Sequence, residues 1–232
     1  VLEVNKNTVL YMVSGYPYAF DSRKLCAAMH ICHAGPAIGT AVCGSLFGDF
    51  SPAGRCPVTW YADTQDLCDI RDYNIIRTKS TYLYYTGKPL FPFGHGLSYA
   101  SFEYGVPKLS ARQLGSDSVL TVEIDIKNTG SMDADEVVQL YVAPPKLPIP
   151  LPKKQLKAFA RIHVPKGRTE TAKLKLDISD LGFYDVNTGA QEVYSGEYAI
   201  MIGSSSEDIR RAAAIEVTGR SFEGVNVSMP VP

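Results

Sequence analysis

The sequence predicts two units, an α/β segment over residues 1–104 and an all-β sandwich over residues 105–232. Short apolar runs and one helical repeat characterise the first unit, whereas the second repeats a polar–apolar alternation between turn residues. The first unit ends in a glycine-punctuated apolar stretch, residues 89–102 (PLFPFGHGLSYASF), which leads into the second. Its prolines disfavour helix, its glycines permit backbone conformations closed to other residues, and its aromatic side chains need to be covered. We therefore expect a rigid, packed connector.

The first unit is predicted to contain parallel-type strands and one helix. Residues 8–13 form an apolar run with β-branched members, the pattern of a strand buried on both faces. Residues 25–32 are a second such run, for which a short helix is the competing interpretation. Pro36 suits the first turn of a helix, which Gly48 ends. The positions at helical spacing are Ile38, Ala41, Val42, Ser45 and Leu46.

Composition excludes several classes of protein. With 23 basic and 24 acidic residues the net charge is −1, so we expect neither nucleic acid nor an anionic membrane as a partner. No run of about 18 apolar residues is present, so no membrane-spanning helix is predicted. The chain starts at Val1 without a visible signal peptide and enters a strand at once, which suggests the interior of a longer protein. The sequence does not predict the cellular compartment.

Two clusters could suggest a metal, and neither is predicted to bind one. The five cysteines are Cys26, Cys32, Cys43, Cys56 and Cys68. Their number is odd and no CxxC pair is present, so we expect buried free thiols. One disulfide among them is possible, but the sequence does not indicate which cysteines would form it. His30 and His33 lie near Cys26 and Cys32, but on a strand they would not all share a face. Four aspartates recur every third residue without the glycine of a calcium loop; they are Asp63, Asp66, Asp69 and Asp72. No cofactor is expected.

The second unit shows the alternation of half-buried antiparallel strands. In residues 120–127 (LTVEIDIK), the odd-numbered positions are polar and the even-numbered ones apolar. Further strands are predicted at residues 136–142, 155–164, 172–178, 196–202 and 211–217. Six or seven strands with regular turns indicate an immunoglobulin-like β-sandwich. Residues 106–116 are interpreted as a turn-rich linker.

Two segments of this unit have alternative interpretations. The proline-rich residues 144–154 could be an SH3-type ligand, but a stiff loop between strands that approaches the rest of the protein is favoured. The tail, residues 221–232, is weakly patterned, and its Asn226-Val-Ser228 triplet matches a glycosylation acceptor.

Both units carry motifs that resemble one enzyme family. Residues 46–55 (LFGDFSPAGR), 57–60 (PVTW), 72–73 (DY), 81–84 (TYLY) and 92–99 (PFGHGLSY) are similar in order and spacing to the C-terminal part of glycoside hydrolase family 3. Residues 136–142 (EVVQLYV), 154–159 (KQLKAF), 181–185 (LGFYD) and 196–205 (GEYAIMIGSS) resemble the fibronectin type III-like domain of the same enzymes. Polar residues that relatives carry after Gly35 and beside the TYLY motif are absent.

The resemblance implies a retaining β-glycosidase that hydrolyses β-glucosides or β-xylosides. The family's nucleophile lies in a barrel domain and its acid/base in an upstream part of the sandwich domain, so both are expected before Val1. Retaining hydrolysis needs two carboxyl groups about 5 Å apart. The chain alone is therefore predicted to be inactive, to meet the glycoside substrate only through the missing barrel, and to need the rest of the enzyme to cover its first unit.

The sequence contains candidates for a domain interface and none for catalysis or substrate binding. The interface candidates are Phe93, Gly94, His95, Gly96 and Tyr99. His95 could line a cleft, but no neighbouring base partner is visible, so a packing role is favoured. The alternative function is a non-catalytic carbohydrate-binding or cell-surface module with a row of exposed aromatics, for which Tyr141, Tyr184, Tyr194 and Tyr198 are candidates.

Overall fold

A computed structural model describes residues 1–224, which are mostly β-structure with few helices. In the first unit the elements are β1 (Val9–Val13), β2 (Ala27–Ile31), α1 (Ile38–Phe47) and α2 (Thr81–Tyr84). Strands β3 (Phe102–Tyr104), β4 (Lys108–Leu109), β5 (Gln113–Gly115), β6 (Val119–Asn128) and β7 (Ala134–Ala143) follow. The remaining strands are β8 (Gln155–Val164), β9 (Thr169–Asp177), β10 (Phe183–Asp185), β11 (Ala190–Glu192), β12 (Gly196–Gly203) and β13 (Ile209–Thr218). Three short 3₁₀ turns lie at Ser22–Lys24, Thr64–Asp66 and Ile178–Leu181.

The predicted strand–strand–helix order of the first unit is confirmed. Strands β1 and β2 pair in parallel, from Val9 opposite Ala27 to Val13 opposite Ile31. Helix α1 ends at Gly48, whose positive φ of 83° is the left-handed conformation that glycine adopts easily. The expectation that both strands are buried on both faces is wrong, because most of their side chains are partly or fully exposed. With two strands in this sheet, each has a neighbour on one side only.

The predicted β-sandwich is also confirmed. One sheet has the strand order β5-β13-β12-β7-β8, and the other has β3 and β4 on one side of β6 and β9 on its other side. The alternation in β6 predicts its inner face correctly, since Leu120, Val122, Ile124 and Ile126 are each at most 1% exposed. These side chains pack with those of β7, β9, β12 and β13 in a single apolar core.

The sandwich contains more strands than the six or seven expected. Residues 106–116, predicted as a linker, contribute the short strands β4 and β5. Strand β3 pairs with β6, so residues 102–104 lie in the sandwich although the predicted boundary follows them. Strands β10 and β11 form a small hairpin around a turn at residues 186–189. Such short pieces are defined by their pairing partners, which leaves little local signal in the sequence.

The proline-rich segment is a loop between β7 and β8, as predicted. It approaches the first unit, where the backbone N–H of Lys153 donates to the carbonyl oxygen of Leu83 over 2.9 Å. Its Pro152 is buried. The Asn226-Val-Ser228 triplet lies outside the described residues.

The five cysteines are free thiols, but the prediction that they are buried is wrong. Cys26, Cys32, Cys43 and Cys68 are exposed and only Cys56 is partly covered. Burial raises the pKa of the Cys56 thiol. The exposed cysteines lie in the first unit, which has few buried residues of its own. Among the described residues, no helix is long and apolar enough to cross a membrane.

Candidate functional site at the seam between the two units

The seam is the contact of Arg55 and residues 82–96 of the first unit with strand β7 of the sandwich. Its centre is aromatic: the rings of Tyr82 and Phe93 stack with centroids 4.2 Å apart, and both meet the ring of Tyr141 edge-on at 6.2 and 6.5 Å. The Tyr82 hydroxyl accepts a hydrogen bond from the Leu156 N–H over 3.0 Å. Tyr141 is completely buried, and this burial raises the pKa of its hydroxyl. Each such ring pair adds about 0.5–1.5 kcal/mol beyond the burial of its surface.

Beside the rings, the amide of Gln139 joins three segments. Its Nε2 donates to the carbonyl oxygens of Gly94 (3.1 Å) and Ser204 (2.5 Å), and its Oε1 accepts from the Tyr141 hydroxyl over 2.6 Å. Gln139 is 2% exposed, so each of these bonds replaces one to water. Gly94 has a positive φ of 81°, and a Cβ there would lie 2.1 Å from the Gln139 Oε1. Glycine is therefore required at position 94 both for its backbone conformation and for the close approach.

A buried ion pair also crosses the seam. Arg55 Nη2 of the first unit lies 3.0 Å from Oε2 of Glu136 at the start of β7, with the two side chains 9% and 3% exposed. The Tyr104 hydroxyl donates to the other oxygen, Oε1, over 2.7 Å. Burial and the charge of Glu136 raise the pKa of Tyr104, which keeps the hydroxyl protonated as a donor. Removing one partner of such a buried pair leaves an uncompensated charge, which costs about 3–5 kcal/mol.

The other predicted interface candidates contact the first unit. The His95 ring stacks on Phe91 with centroids 5.0 Å apart, and the pKa of the ring is lowered by burial and then by the charge of Arg55, which favours the neutral form. A Cβ at Gly96 would lie 2.1 Å from the Gly54 carbonyl oxygen. The Tyr99 hydroxyl donates to the carbonyl oxygen of Ser45 in α1 over 2.7 Å. Of the five candidates, Phe93 and Gly94 therefore contribute the ring and hydrogen-bond contacts to the sandwich, and the other three fix the connector against its own unit.

The buried carboxyl groups of the described residues are each held by a partner. The two buried ones are Glu136 and Asp185. The pKa of Asp185 is lowered by the backbone N–H of Asn187 and by the Tyr194 hydroxyl, which donates to Oδ2 over 2.8 Å. A general acid in such enzymes needs a raised pKa. Glu136 is paired with Arg55 and Asp185 is held in its charged form, so neither carboxyl group is suited to act as a general acid.

The two clusters considered for a metal have other roles. Among the described residues, no three His, Cys, Asp or Glu side chains form a group that could hold a metal ion. Asp69 and Asp72 pair with Arg71 and Arg77 at the surface. The ring of His30 lies edge-on to Trp60, with centroids 5.2 Å apart.

The four tyrosines considered for the alternative function do not form a row of exposed aromatic rings. Tyr141, Tyr194 and Tyr198 are at most 3% exposed, and only Tyr184 is open, at 63%. The Tyr194 and Tyr198 hydroxyls donate inside the sandwich, to Asp185 and to the Tyr194 carbonyl oxygen. These tyrosines therefore cannot offer a flat surface to a sugar.

Four residues of the seam are not among the candidates that the sequence indicates. They are Arg55, Tyr82, Glu136 and Gln139. Each lies inside a motif that carries the family resemblance, so the motifs themselves are the signal that could find them. What the sequence does not indicate is that motifs about 80 residues apart meet, as Arg55 and Glu136 do.

Comparison with known proteins places both units in one family. Residues 1–99 match the glycosyl hydrolase family 3 C-terminal domain, and residues 136–206 match the fibronectin type III-like domain. A β-glucosidase of Rhizobium radiobacter is 34% identical over 94% of this chain and 28% of its own length. A xylan 1,4-β-xylosidase of Xylanibacter ruminicola is 41% identical over 73% of this chain and 19% of its own. The chain thus spans less than a third of these curated relatives.

Solved structures agree with this placement. The family 3 β-glucosidase of Bifidobacterium adolescentis superposes with a TM-score of 0.86 at 26% identity, over 98% of this chain and 36% of its own. The β-glucosidase of Kluyveromyces marxianus in complex with glucose gives a TM-score of 0.85 at 29% identity, over 94% and 27%. In both, the similarity extends over the two units together.

Proposed function

The chain belongs to glycosyl hydrolase family 3, whose C-terminal and fibronectin type III-like domains it carries, and we propose that it completes a retaining β-glycosidase acting on β-glucosides or β-xylosides. The names of its relatives, β-glucosidase and xylan 1,4-β-xylosidase, support this substrate class. The observation that carries the proposal is the seam, because a buried ion pair and a buried aromatic cluster join the two matched units.

The role of this chain is structural in the proposed reaction. Retaining hydrolysis uses a nucleophile and an acid/base about 5 Å apart on either side of the scissile bond. The buried carboxylates described here, Glu136 and Asp185, are held by an ion pair and by hydrogen bonds. Both catalytic carboxyl groups would therefore lie upstream of Val1, and the seam would hold the two C-terminal units as one support for them.

The first unit would continue a parallel sheet supplied by the rest of the enzyme. Parallel sheets are normally covered on both faces, yet Val9, Val13 and Phe47 are 48%, 43% and 83% exposed. Apolar side chains on β1 and α1 are thus available for strands and helices outside this chain. The rest of the polypeptide is the partner that this surface fits.

A chimera tests the proposal. The matching C-terminal portion of the Rhizobium radiobacter β-glucosidase is replaced by this chain, and hydrolysis of p-nitrophenyl β-glucoside and β-xyloside is measured. We expect no turnover from the truncated enzyme or from the 232-residue chain alone, and restored turnover from the chimera, with the product anomer retained by NMR.

A control variant tests whether the contact between the two units at the seam is needed, or whether it is enough that both units are present. The same chimera with Arg55→Met should lose thermal stability before it loses turnover at moderate temperature. The reason is that residue 55 lies in the seam and away from any proposed carboxylate pair. Turnover by the isolated chain, or full activity of the truncated enzyme without it, contradicts the proposed role.

A further inference from the structure

A cleft of about 310 Å³ opens at one edge of the sandwich, between the edge strands β8 and β9 of its two sheets. Its floor is apolar and consists of Leu156, Ala158 and Leu174. This volume is at the small end of the range of about 300–1,000 Å³ that ligand pockets occupy. The cleft borders the seam at Leu156, whose backbone N–H donates to the Tyr82 hydroxyl.

The rim of the cleft combines cations with one aromatic ring. Strand β8 contributes the exposed Phe159 and also Lys157, which lies at an irregularity in the pairing of β8 with β7. Strand β9 contributes Lys173 and Lys175, which alternate with the buried Leu174 and so share the outer face of that strand. Phe159 is 67% exposed. An exposed phenylalanine among lysines offers a flat apolar face next to positive charge.

The cleft lies in the most basic segment of a nearly neutral chain. Residues 153–175 carry eight lysines and arginines and a single acidic residue, Glu170, whereas the whole chain has a net charge of −1. Such a local excess of one sign attracts ligands of the opposite sign. The net charge of the whole chain gives no sign of this basic segment, because acidic residues elsewhere in the sequence balance it.

Two neighbouring acidic residues offset part of this charge and leave part free. Glu123 Oε1 lies 2.6 Å from Lys173 Nζ, so that lysine is already paired. Lys157 Nζ donates to the carbonyl oxygen of Asp180 over 2.5 Å. Burial lowers the pKa of Lys157, and the nearby Asp180 charge opposes this in part. Lys175 has no carboxylate partner among the described residues. Lys175, assisted by Lys157, is the cation available to a ligand.

We propose that this cleft binds a saccharide that carries a carboxylate, a uronic acid unit, with the carboxylate on Lys175 and Lys157 and the sugar ring against Phe159. Hydrogen bonds between an ammonium and a carboxylate are about twice as strong as neutral ones. The apolar C–H face of a pyranose matches an aromatic ring and the aliphatic floor of the cleft. An acidic peptide without aromatic or aliphatic side chains would satisfy the lysines but would leave the face of the Phe159 ring uncovered.

Calorimetric titration of the chain with two matched ligands tests this assignment. The ligands are xylotriose bearing one glucuronate and the same oligosaccharide with its carboxyl group reduced to an alcohol. We expect the acidic form to bind about tenfold more tightly. Lys175→Gln and Phe159→Ala should each weaken its binding by about fivefold.

The control is Lys146→Gln, which removes an exposed lysine outside the cleft lining and should leave the affinity unchanged. Circular dichroism of each variant checks that the sandwich stays folded. Equal affinity for the two sugars, no binding of either at millimolar concentration, or an equal loss in the Lys146→Gln variant would overturn the assignment. Binding of an oligoglutamate of the same charge as tightly as the sugar would overturn it too, since charge alone would then be recognised.

Discussion

Gly94→Ala tests the packing of the seam most directly, because a second glycine serves as its matched control. Gly94 and Gly167 have similar positive φ angles of 81° and 72°. At Gly167 nothing lies within 4 Å of an added Cβ, whereas at Gly94 the Gln139 Oε1 lies at 2.1 Å and the Tyr141 hydroxyl at 2.7 Å. Both substitutions incur the cost of left-handed backbone in an L-residue, about 1–2 kcal/mol. Only the one at position 94 also has to displace Gln139.

The extra cost follows from the hydrogen bonds that Gln139 makes. If its side chain moves, the buried groups it pairs with lose partners, at about 1–3 kcal/mol for each group left unsatisfied. The reduced entropy of the unfolded chain offsets about 0.4–1 kcal/mol in both variants. We therefore expect the free energy of unfolding to fall by about 1 kcal/mol for Gly167→Ala and by about 2–5 kcal/mol for Gly94→Ala.

Urea unfolding, followed by tyrosine and tryptophan fluorescence and by circular dichroism, measures both changes. Equal losses in the two variants would refute the reasoning, because the seam would then accept a methyl group at no cost. The slope of the free energy of unfolding against urea concentration is a second readout. A change in this slope for Gly94→Ala, but not for Gly167→Ala, would indicate that the two units have begun to unfold separately.

Three further outcomes are expected. Arg55→Met should lower the free energy of unfolding by about 3–5 kcal/mol by leaving the Glu136 charge unpaired, and the double variant Arg55→Met/Glu136→Leu should regain most of it, both measured by urea unfolding. Tyr104→Phe removes one hydrogen bond to that carboxylate and should cost about 1–3 kcal/mol, whereas Tyr184→Phe, at an exposed position, should cost less than about 0.5 kcal/mol. The pKa of Asp185 is lowered in the folded state by a backbone N–H and a tyrosine hydroxyl. Its stabilising effect is therefore present above the ordinary pKa of about 4 and is lost as the pH falls through the lowered value. Asp185→Asn should make the free energy of unfolding depend less on pH in the acid range, and an unchanged pH dependence would contradict this.

The sequence predicts the sandwich well because its signal is local. Strand β8 occupies the predicted residues 155–164, and the inner face of β6 is the predicted one. In both, the period-two alternation reports directly which side chains face the core. Strands β4 and β5, two and three residues long, carry no such alternation and become strands only through their partners β6 and β13.

The errors in the first unit have a different origin. An apolar run indicates that its side chains are covered, but not by what. The apolar side chains of β1 and the exposed Cys26 and Cys32 are predicted to be buried on this basis, and the residues of this chain do not cover them. Sequence patterns of this kind describe a residue in its complete surroundings, whereas β1 and β2 pair only with each other within the described residues.

The same reasoning locates the seam within the sandwich. Strands β6 and β9 carry charged residues on their outer faces, as expected for faces in water, for example Asp125 and Lys173. Strand β7 differs, because its residues 138–142 are buried on both faces. On its outer face it presents Gln139 and Tyr141, each with an apolar body and a polar end, and these meet Gly94 and the aromatic rings of the first unit. Asp135 at the start of β7 is charged and pairs with Arg161, but the following outward positions 137, 139 and 141 carry no charge. This uncharged run lies where β7 meets the first unit, and it is visible in the amino-acid sequence.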